Sequence, residues 1–150
     1  MMRTSEDGLA LIRHFEGVAL CPYRCPAGLL TVGYGHVLLA GEPRGCITPA
    51  QAEQWLRDDV ALAAHAVARL VPRALQPWQF DALVSFTFNV GVGALERSAL
   101  RQRLLAGEDE EVPYQLQRWV YAKGRKLPGL IRRRSAESLH FMGKSWHEFS

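Results

Sequence analysis

One long amphipathic helix is the strongest constraint that this sequence places on its fold. Thr48-Pro49-Ala50-Gln51 combines an N-cap, a proline at the first helical position and a capping-box glutamine. Apolar residues then recur every three or four positions, at Leu56, Val60, Ala63, Val67 and Leu70. Because Pro72 ends this pattern, the sequence predicts a helix of about 22 residues that separates two differently patterned parts of the chain.

The part before the long helix is predicted to form a short helix and a small β lobe. Thr4-Ser5-Glu6-Asp7 offers an N-cap followed by acids in the first turn. Apolar residues recur every three positions up to Glu16, where Gly17 can end the helix: Leu9, Ile12 and Phe15. From about 17 to 47, prolines and glycines interrupt short apolar pieces, a pattern typical of hairpins joined by tight turns.

The part after the long helix is predicted to be helical. Residues 78–90 alternate between apolar and polar almost as a strand would, but thirteen residues is long for a strand. A buried helix that begins after Pro77 is therefore favoured. Further helices are expected over 95–106, 112–119 and 128–142.

This order of elements predicts an α+β fold in which the long helix joins a small β-hairpin lobe to a larger helical lobe. The chain, 1–150, is interpreted as one domain, with the β lobe over about 17–47. The helical lobe comprises about 48–150 together with the N-terminal helix. A cleft between the two lobes is the expected place for a functional site.

Composition narrows the class of protein. The 150 residues are 48% hydrophobic and 22% charged, in the range of soluble globular proteins and unlike disordered chains. No apolar run approaches the roughly 18 residues that span a bilayer, and the acidic N-terminus is unlike a secretion signal. No phosphate-binding loop, dinucleotide fingerprint or His-Glu-x-x-His motif occurs, so neither a cofactor nor a metal is expected.

The basic residues are unevenly distributed. The chain has 18 basic and 15 acidic residues and a formal net charge of +3. From Arg118 to Arg134, however, seven residues are Lys or Arg and none is acidic. Such a segment is either a solvated face or a contact surface for a polyanion, such as nucleic acid, phosphate-bearing lipid or cell-wall polymer.

Three cysteines, Cys21, Cys25 and Cys46, are present. They cannot all pair within one chain, and their spacing fits neither a zinc finger nor a Cys-x-x-Cys redox motif. All three are therefore expected to be free thiols.

Glu16 is the first candidate for chemistry. It stands where the N-terminal helix gives way to the β lobe, directly after Phe15. The negative end of the helix dipole and the neighbouring aromatic both favour the protonated form of a carboxyl, as a general acid requires.

The spacing of residues after Glu16 adds a second signal. Cys25 follows nine positions on, Thr31 six positions after that, and Gly33-Tyr34-Gly35-His36 comes next. This pattern resembles the catalytic signature of the phage lysozymes of glycoside hydrolase family 24, in which Glu, then Asp or Cys, then Thr stand at those intervals. The resemblance extends over essentially the whole chain and favours a helix over 78–90. It continues through Ile47–Glu53, Gln79–Phe86, Phe88–Gly91, Trp119 and Gly129–Glu137.

The resemblance implies a lysozyme-like fold and an endolysin, a muramidase that lyses the host bacterium. Its substrate would be the peptidoglycan of the cell wall, cleaved at the β-1,4 bond between N-acetylmuramic acid and N-acetylglucosamine. A monomer is expected that needs neither nucleic acid nor membrane insertion. It would wait in the host cytoplasm until a holin opens the membrane, and then act on the wall.

The resemblance also assigns roles to residues. Glu16 would be the general acid, and Thr31 and Cys25 would serve the opposite face of the sugar, where glycoside hydrolysis needs a positioned water or a stabilising charge. A thiol with an ordinary pKa near 8.5 is mostly neutral at neutral pH and replaces a carboxylate poorly. Cys25 is therefore expected to be a small polar group that helps Thr31 to position water in an inverting reaction.

Four further residues receive roles from the resemblance. Asn89 is expected to bind an acetamido or hydroxyl group of the substrate, and Arg133 to reach Glu16 or the floor of the cleft. His36 and Asp59 are expected to form a structural pair between the β lobe and the long helix.

Three alternatives remain open at the level of sequence. A lytic transglycosylase would cleave the same bond with one glutamate and leave a 1,6-anhydro sugar. A nucleic-acid-binding protein would use the basic segment 118–134 and bind DNA with a steep dependence on salt. A cysteine peptidase would pair Cys25 with His36.

Overall fold

The computed structural model describes residues 2–150, which fold into seven α-helices and five short strands. The first part comprises α1 (Glu6–Glu16), the strands β1 (Ala19–Arg24), β2 (Leu30–Gly33) and β3 (His36–Val37), and the long helix α2 (Pro49–Leu70). The second part comprises α3 (Pro77–Val90), α4 (Val92–Arg97), α5 (Ala99–Leu105), α6 (Val112–Gln117), β4 (Tyr121–Ala122), β5 (Arg125–Lys126) and α7 (Pro128–Phe141). Short 3-10 turns lie at Asp109–Glu111 and His147–Phe149. The predicted α+β architecture is confirmed.

Helix α1 ends directly at Glu16. Ser5 caps its start, since the Oγ atom accepts a hydrogen bond from the Gly8 N–H at 3.1 Å. At the other end, Gly17 adopts a φ of 66° and donates its N–H to the Arg13 carbonyl at 3.1 Å. A positive φ favours glycine, so the sequence Glu16-Gly17 places the carboxyl at the point where the chain turns into the β lobe.

The β lobe is an antiparallel sheet of order β1-β2-β3. Tyr23 lies opposite Thr31 in the β1–β2 pair. The turn between these strands is closed by two backbone hydrogen bonds, from the Cys25 N–H to the Leu29 carbonyl at 3.0 Å and from the Gly28 N–H to the Cys25 carbonyl at 2.8 Å. The hairpin turn therefore begins at Cys25, directly after β1, and Thr31 lies on the next strand, β2.

The prediction that all three cysteines are free thiols was wrong for two of them. Cys21 and Cys46 form a disulfide with a Cα–Cα distance of 4.0 Å, and Cys25 is free. The Ile47 N–H donates to the Leu20 carbonyl at 2.7 Å, which brings the segment before α2 alongside β1. This approach joins residues that are 25 positions apart, so their spacing alone could not reveal it.

Opening the disulfide is expected to destabilise the protein. Cys21 and Cys46 are 25 positions apart in sequence, and the chain-entropy estimate for closing such a loop is about 3.5 kcal/mol. Replacing both Cys21 and Cys46 with serine should lower the free energy of urea unfolding by about that amount. Alkylation of the unfolded, unreduced protein should label one thiol per chain, and three after reduction. Three labelled thiols without reduction would contradict the bridge.

The central part of helix α3 is buried on all sides, which explains its ambiguous sequence pattern. All eight residues from Phe80 to Thr87 are buried, so this part of the helix has no polar face and its polar residues lie inside the protein. Each finds an internal partner: Asp81 accepts from Ser5, the Ser85 hydroxyl donates to Glu137, and Thr87 donates to the Leu83 carbonyl. The preference for a buried helix over a strand was correct.

Two details of the helical lobe differ from the prediction. The helix expected over 95–106 is divided at Ser98, whose backbone is extended and whose Oγ accepts from the Arg101 N–H at 3.0 Å, so that a new helix begins there. A second hairpin, β4–β5, occupies 121–126 between α6 and α7 and was not predicted. Within residues 2–150, no helix is both long enough and apolar enough to cross a membrane.

Candidate active site

A groove of about 530 Å³ lies between the β lobe and the helical lobe. It is lined by the end of α1, by β3, by the middle of α2 and by the C-terminal end of α3. The polar residues along it include Glu16, His36, Asp59, Thr87 and Asn89. The expected cleft is therefore present, and Glu16 lines it.

The Glu16 carboxylate is held at one of its two oxygens. Its Oε2 atom accepts a hydrogen bond from Arg133 Nη1 at 2.6 Å, and the Arg133 side chain is only 4% exposed. Its Oε1 atom lies at Gly35, where an added Cβ would stand 3.2 Å away. Since Gly35 also has a φ of 84°, both the close approach and the backbone conformation require glycine. The carboxylate keeps 19% of its side-chain surface exposed.

Arg133 is itself held by a buried polar network. Its Nε atom donates to Glu137 Oε2 at 3.3 Å, and its Nη2 atom donates to the Ser85 carbonyl at 3.2 Å. The Ser85 hydroxyl donates to the same Glu137 oxygen at 2.6 Å, and the Glu137 side chain is fully buried. The Arg133 guanidinium thus contacts the carboxylates of both Glu16 and Glu137. Its hydrogen bonds to Glu137 and to the Ser85 carbonyl fix its position relative to Glu16.

Arg134 connects the same network to Asn89. It lies 3.2 Å from Glu137 Oε1, and its Nη2 atom donates to Asn89 Oδ1. Its guanidinium carbon lies 5.1 Å from the centre of the Phe86 ring. Burial lowers the pKa of Arg134 from its ordinary value, partly offset by the charge of Glu137. Because Arg134 engages the amide oxygen, Asn89 is left with its Nδ2 donors for a ligand in the groove.

Cys25 and Thr31 lie together on the β1–β2 hairpin. The Thr31 hydroxyl is buried and donates to the Leu29 carbonyl at 2.9 Å. Backbone hydrogen bonding, chiefly from Leu29, lowers the pKa of the Cys25 thiol below its ordinary value.

His36 bridges two carboxylates between the β lobe and α2. Its Nδ1 atom lies 2.7 Å from Asp59 Oδ2, and its Nε2 atom lies 2.9 Å from Glu42 Oε1. Both ring nitrogens face acceptors, so the geometry favours the imidazolium, which donates from both. Burial opposes this charge, but the two carboxylates outweigh it and raise the pKa of His36 above 6.5. The ring also stacks on Trp55, with centroids 4.4 Å apart.

The contribution of His36 to stability is expected to depend on pH. Because its pKa is raised in the folded state, the stabilisation is complete below the unfolded value of about 6.5 and is lost as the pH rises through the folded value. His36→Gln should lower the free energy of unfolding by about 2 kcal/mol at pH of about 5.5, and by clearly less at about 9. Denaturant titrations at both pH values would measure the difference.

His65 provides the control for this comparison, since it is exposed on the same helix, α2. His65→Gln should leave unfolding nearly unchanged at both pH values. A stability gap between wild type and His36→Gln that widens as the pH rises would contradict the bridged imidazolium.

The structure brings most of the predicted site residues into two groups. Four of them line the groove: Glu16, His36, Asp59 and Asn89. Arg133 is buried and contacts Glu16. Cys25 and Thr31 form the second group, on the hairpin. Residues in contact with these groups that had received no role from the sequence include Gly35, Glu42, Trp55, Ser85, Arg134 and Glu137. The i,i+4 spacing of Arg133 and Glu137 was a signal that could have found one of them.

Comparison with known proteins finds similarity to phage lysozymes and endolysins over most of the chain. The family model described as phage lysozyme matches residues 13–137. An endolysin of Acyrthosiphon pisum secondary endosymbiont phage 1 is 39% identical over 146 residues, which cover 93% of this chain and 98% of that protein. Endolysins of the Bacillus phages PZA and B103 are longer, and the chain spans about half of their length, 55% and 54%.

Solved structures show the same fold. The muramidase domain of SpmX from Asticaccaulis excentricus superposes with a TM-score of 0.87 at 34% identity, covering 95% of this chain and 99% of that one. An endolysin from Escherichia coli O157:H7 phage FAHEc1 superposes with a TM-score of 0.83 at 36% identity, covering 94% of each chain.

Proposed function

We propose, from the premise that this chain belongs to the phage lysozyme family, that Glu16 is its general acid and that Thr31 and Cys25 complete the catalytic site. The family and its endolysin and muramidase relatives show the broader activity: the protein is a glycoside hydrolase, a lysozyme, that acts on the peptidoglycan of the cell wall. The specific bond proposed is the β-1,4 linkage between N-acetylmuramic acid and N-acetylglucosamine.

The anchored carboxyl of Glu16 is the observation that carries this proposal. Arg133 holds Oε2 at 2.6 Å, while Oε1 lies at the glycine-lined edge of the groove. A general acid must present one oxygen to the leaving group in a fixed direction. A carboxyl tethered at one oxygen and free at the other meets this requirement.

The hydroxyl of Thr31 suits the role of holding the attacking water. Its proton is donated to the Leu29 carbonyl, so the lone pairs of Oγ1 remain to accept a hydrogen bond from water. A water held in this way keeps an oxygen lone pair for attack on the anomeric carbon. As that bond forms, the glycosidic C–O bond breaks, Glu16 gives its proton to the leaving oxygen, and the proton lost by the water passes to solvent. This arrangement corresponds to an inverting hydrolysis with Glu16 as the acid.

Cys25 is proposed to help Thr31 to position the water rather than to attack the sugar. Cys25→Ser should then keep at least about a tenth of the wild-type rate, and Cys25→Asp should keep or raise it, because a carboxylate supplies the same contact with charge. Turbidity clearing of bacterial cells would measure the rates. Because the pKa of the Cys25 thiol is lowered, a thiolate forms more readily here than in an isolated cysteine. The rates of the two variants therefore decide between positioning of water and attack by sulfur.

The anomer released from the substrate gives an independent check of the same proposal. An inverting reaction on a β linkage gives the α anomer first, and a retaining reaction gives the β anomer. Proton NMR of the early product should show the α form. An inactive Cys25→Ser variant together with a β product would mean that the sulfur attacks the sugar.

Asn89 is proposed to bind the substrate. Its Oδ1 atom is taken by Arg134, which leaves the Nδ2 donors for an acetamido carbonyl or a hydroxyl in the groove. His36 and Asp59 are proposed to be a structural pair that joins β3 to α2. Because both residues line the groove, this pair would fix the shape of the groove wall.

The protein is further proposed to act as a monomer that is stored in the host cytoplasm and released by a holin. The support for storage and release is the similarity to phage endolysins. Disulfides persist in oxidising surroundings. The Cys21–Cys46 disulfide is therefore expected to be formed when the protein acts on the cell wall and not while it is stored in the cytoplasm. Cells that express the chain in the cytoplasm should lyse only after the membrane is permeabilised.

A further inference from the structure

One face of the β1–β2 hairpin carries an aromatic residue beside the two residues proposed to serve the attacking water. In the register of the two strands, Tyr23 lies directly opposite Thr31. The ladder continues one residue beyond β1, because the Cys25 N–H donates to the Leu29 carbonyl at 3.0 Å. Side chains alternate along a strand, and residues directly opposite one another point to the same face. Tyr23, Cys25 and Thr31 therefore share one face of the hairpin.

The residues of this face differ in exposure. Thr31 is only 3% exposed, whereas Tyr23 is 44% exposed and Cys25 is partly exposed. Directly opposite residues have Cβ atoms about 4.5 to 5.5 Å apart, so the Tyr23 ring begins next to the Thr31 side chain. A ligand that reaches the Thr31 hydroxyl from solvent therefore lies against the exposed neighbours of Thr31 on this face, of which Tyr23 is the aromatic one.

Packing within the protein does not account for the ring of Tyr23. Within residues 2–150, Tyr23 belongs to neither cluster of buried apolar residues, and its ring stacks on no other aromatic ring. Tyr34, in contrast, packs against the main cluster. Aromatic side chains contribute to folding or binding chiefly through the apolar area that they bury. The exposed area of the Tyr23 ring is therefore available to a ligand.

We propose that the ring of Tyr23 is the stacking platform for the sugar whose anomeric carbon is attacked, the N-acetylmuramic acid unit. The proposal rests on the function proposed above, because it takes Thr31 as the residue that holds the attacking water. Aromatic side chains line many ligand sites, and a pyranose ring offers them a flat face of C–H groups. In an inverting reaction, water attacks the face of the sugar opposite to the leaving oxygen. Because Tyr23 and Thr31 share one face of the hairpin, the platform and the water lie on the same side of the sugar.

A platform beside the water fixes the plane of the sugar ring. Attack requires the water oxygen and the anomeric carbon to lie about 3 to 3.5 Å apart in an aligned geometry. A sugar ring that rests on Tyr23 cannot tilt away from the water on Thr31. The contact is made by the aromatic ring and not by the phenol hydroxyl, so phenylalanine should replace Tyr23 and an aliphatic residue should not.

The test removes the ring and leaves the rest of the hairpin unchanged. Tyr23→Leu removes the platform, and Tyr23→Phe keeps it. Tyr114→Leu is the matched control, because Tyr114 is a 65% exposed tyrosine on α6, outside the hairpin. Kinetics are measured on purified peptidoglycan. Binding of a tetrasaccharide of alternating N-acetylglucosamine and N-acetylmuramic acid is measured by calorimetry, with Glu16→Gln added to each variant to prevent cleavage.

Tyr23→Leu should lower kcat/KM on peptidoglycan about tenfold relative to Tyr114→Leu, and should weaken binding of the tetrasaccharide by a similar factor. Tyr23→Phe should stay within about threefold of wild type in both measurements. Urea unfolding should be alike for all three variants. A structural role for Tyr23 would lower the free energy of unfolding of Tyr23→Leu and leave the affinity of the folded protein unchanged, and this result would overturn the proposal.

Nuclear Overhauser contacts show which face of the sugar meets the ring. In the complex of Glu16→Gln with the tetrasaccharide, the ring protons of Tyr23 should contact the axial protons on the face opposite to the leaving oxygen. The Tyr23→Leu variant identifies these signals, since they disappear with the ring. Contacts confined to the other face of the sugar, or the absence of any contact, would overturn the proposal.

Failure of this proposal differs from failure of the proposed function. If wild type cleaves peptidoglycan and Tyr23→Leu behaves like Tyr114→Leu in kinetics and in binding, the platform alone is overturned. If Tyr23→Phe is as impaired as Tyr23→Leu, the hydroxyl makes the contact and the platform is again overturned. If wild type cleaves no glycan, the proposed function fails, and the platform fails with it.

Discussion

Glu16→Gln is expected to reduce the rate of peptidoglycan hydrolysis by about 10² to 10⁴ while leaving the protein folded. Glutamine has the shape of glutamate, and its amide oxygen can still accept the hydrogen bond that Arg133 donates at 2.6 Å. It has no proton to transfer to the leaving oxygen, so protonation must come from water. General acid catalysis contributes about this factor.

Turbidity clearing measures this loss, and the unfolding transition of the variant shows that the fold is intact. Glu110→Gln is the matched control, because Glu110 is exposed in the helical lobe and should clear cells like wild type. A Glu16→Gln rate within a factor of about three of wild type would remove Glu16 from the role of acid, since the loss expected is at least about 10².

Arg133→Met is expected to give the largest loss of stability of any single substitution considered. It leaves the fully buried Glu137 with Arg134 as its remaining charged neighbour and removes the partner of Glu16. Breaking one side of a buried ion pair costs about 3 to 5 kcal/mol, because the other charge stays buried. Urea unfolding should show a decrease of this size, and activity should fall further because Glu16 loses its anchor.

Arg103→Met is the control, since its pair with Glu108 is exposed and worth less than about 1 kcal/mol. Arg133→Lys keeps the charge but cannot reach Glu16, Glu137 and Ser85 together, so it should recover part of the stability and little of the activity. If Arg133→Met unfolds like the Arg103→Met control, the buried network does not hold the site in place.

Much of the fold was predictable because its signals are local. The cap and apolar stripe of α2 predicted a helix whose structural bounds, Pro49–Leu70, agree closely. The end of α1 at Gly17 was also visible in the sequence. Helix α3 needed an argument from length, since a helix whose central part is buried all round shows no amphipathic period.

What the sequence could not reveal depends on contacts between distant residues. The Cys21–Cys46 bridge requires the segment before α2 to lie against β1, and nothing in the spacing of the cysteines implies that approach. The second carboxylate of His36, from Glu42, depends on a loop between β3 and α2. The sequence indicated that the basic segment 118–134 forms one exposed surface, but Arg133 and Arg134 are buried inside the protein.

Mass spectrometry of purified peptidoglycan after digestion tests the central claim most directly. The account predicts muropeptides that end in a reducing N-acetylmuramic acid, formed by wild type and nearly absent with Glu16→Gln. Products that end in 1,6-anhydro-muramic acid, lighter by one water, would contradict hydrolysis and identify a transglycosylase. Reducing-end products formed equally well by Glu16→Gln would contradict its role as the acid.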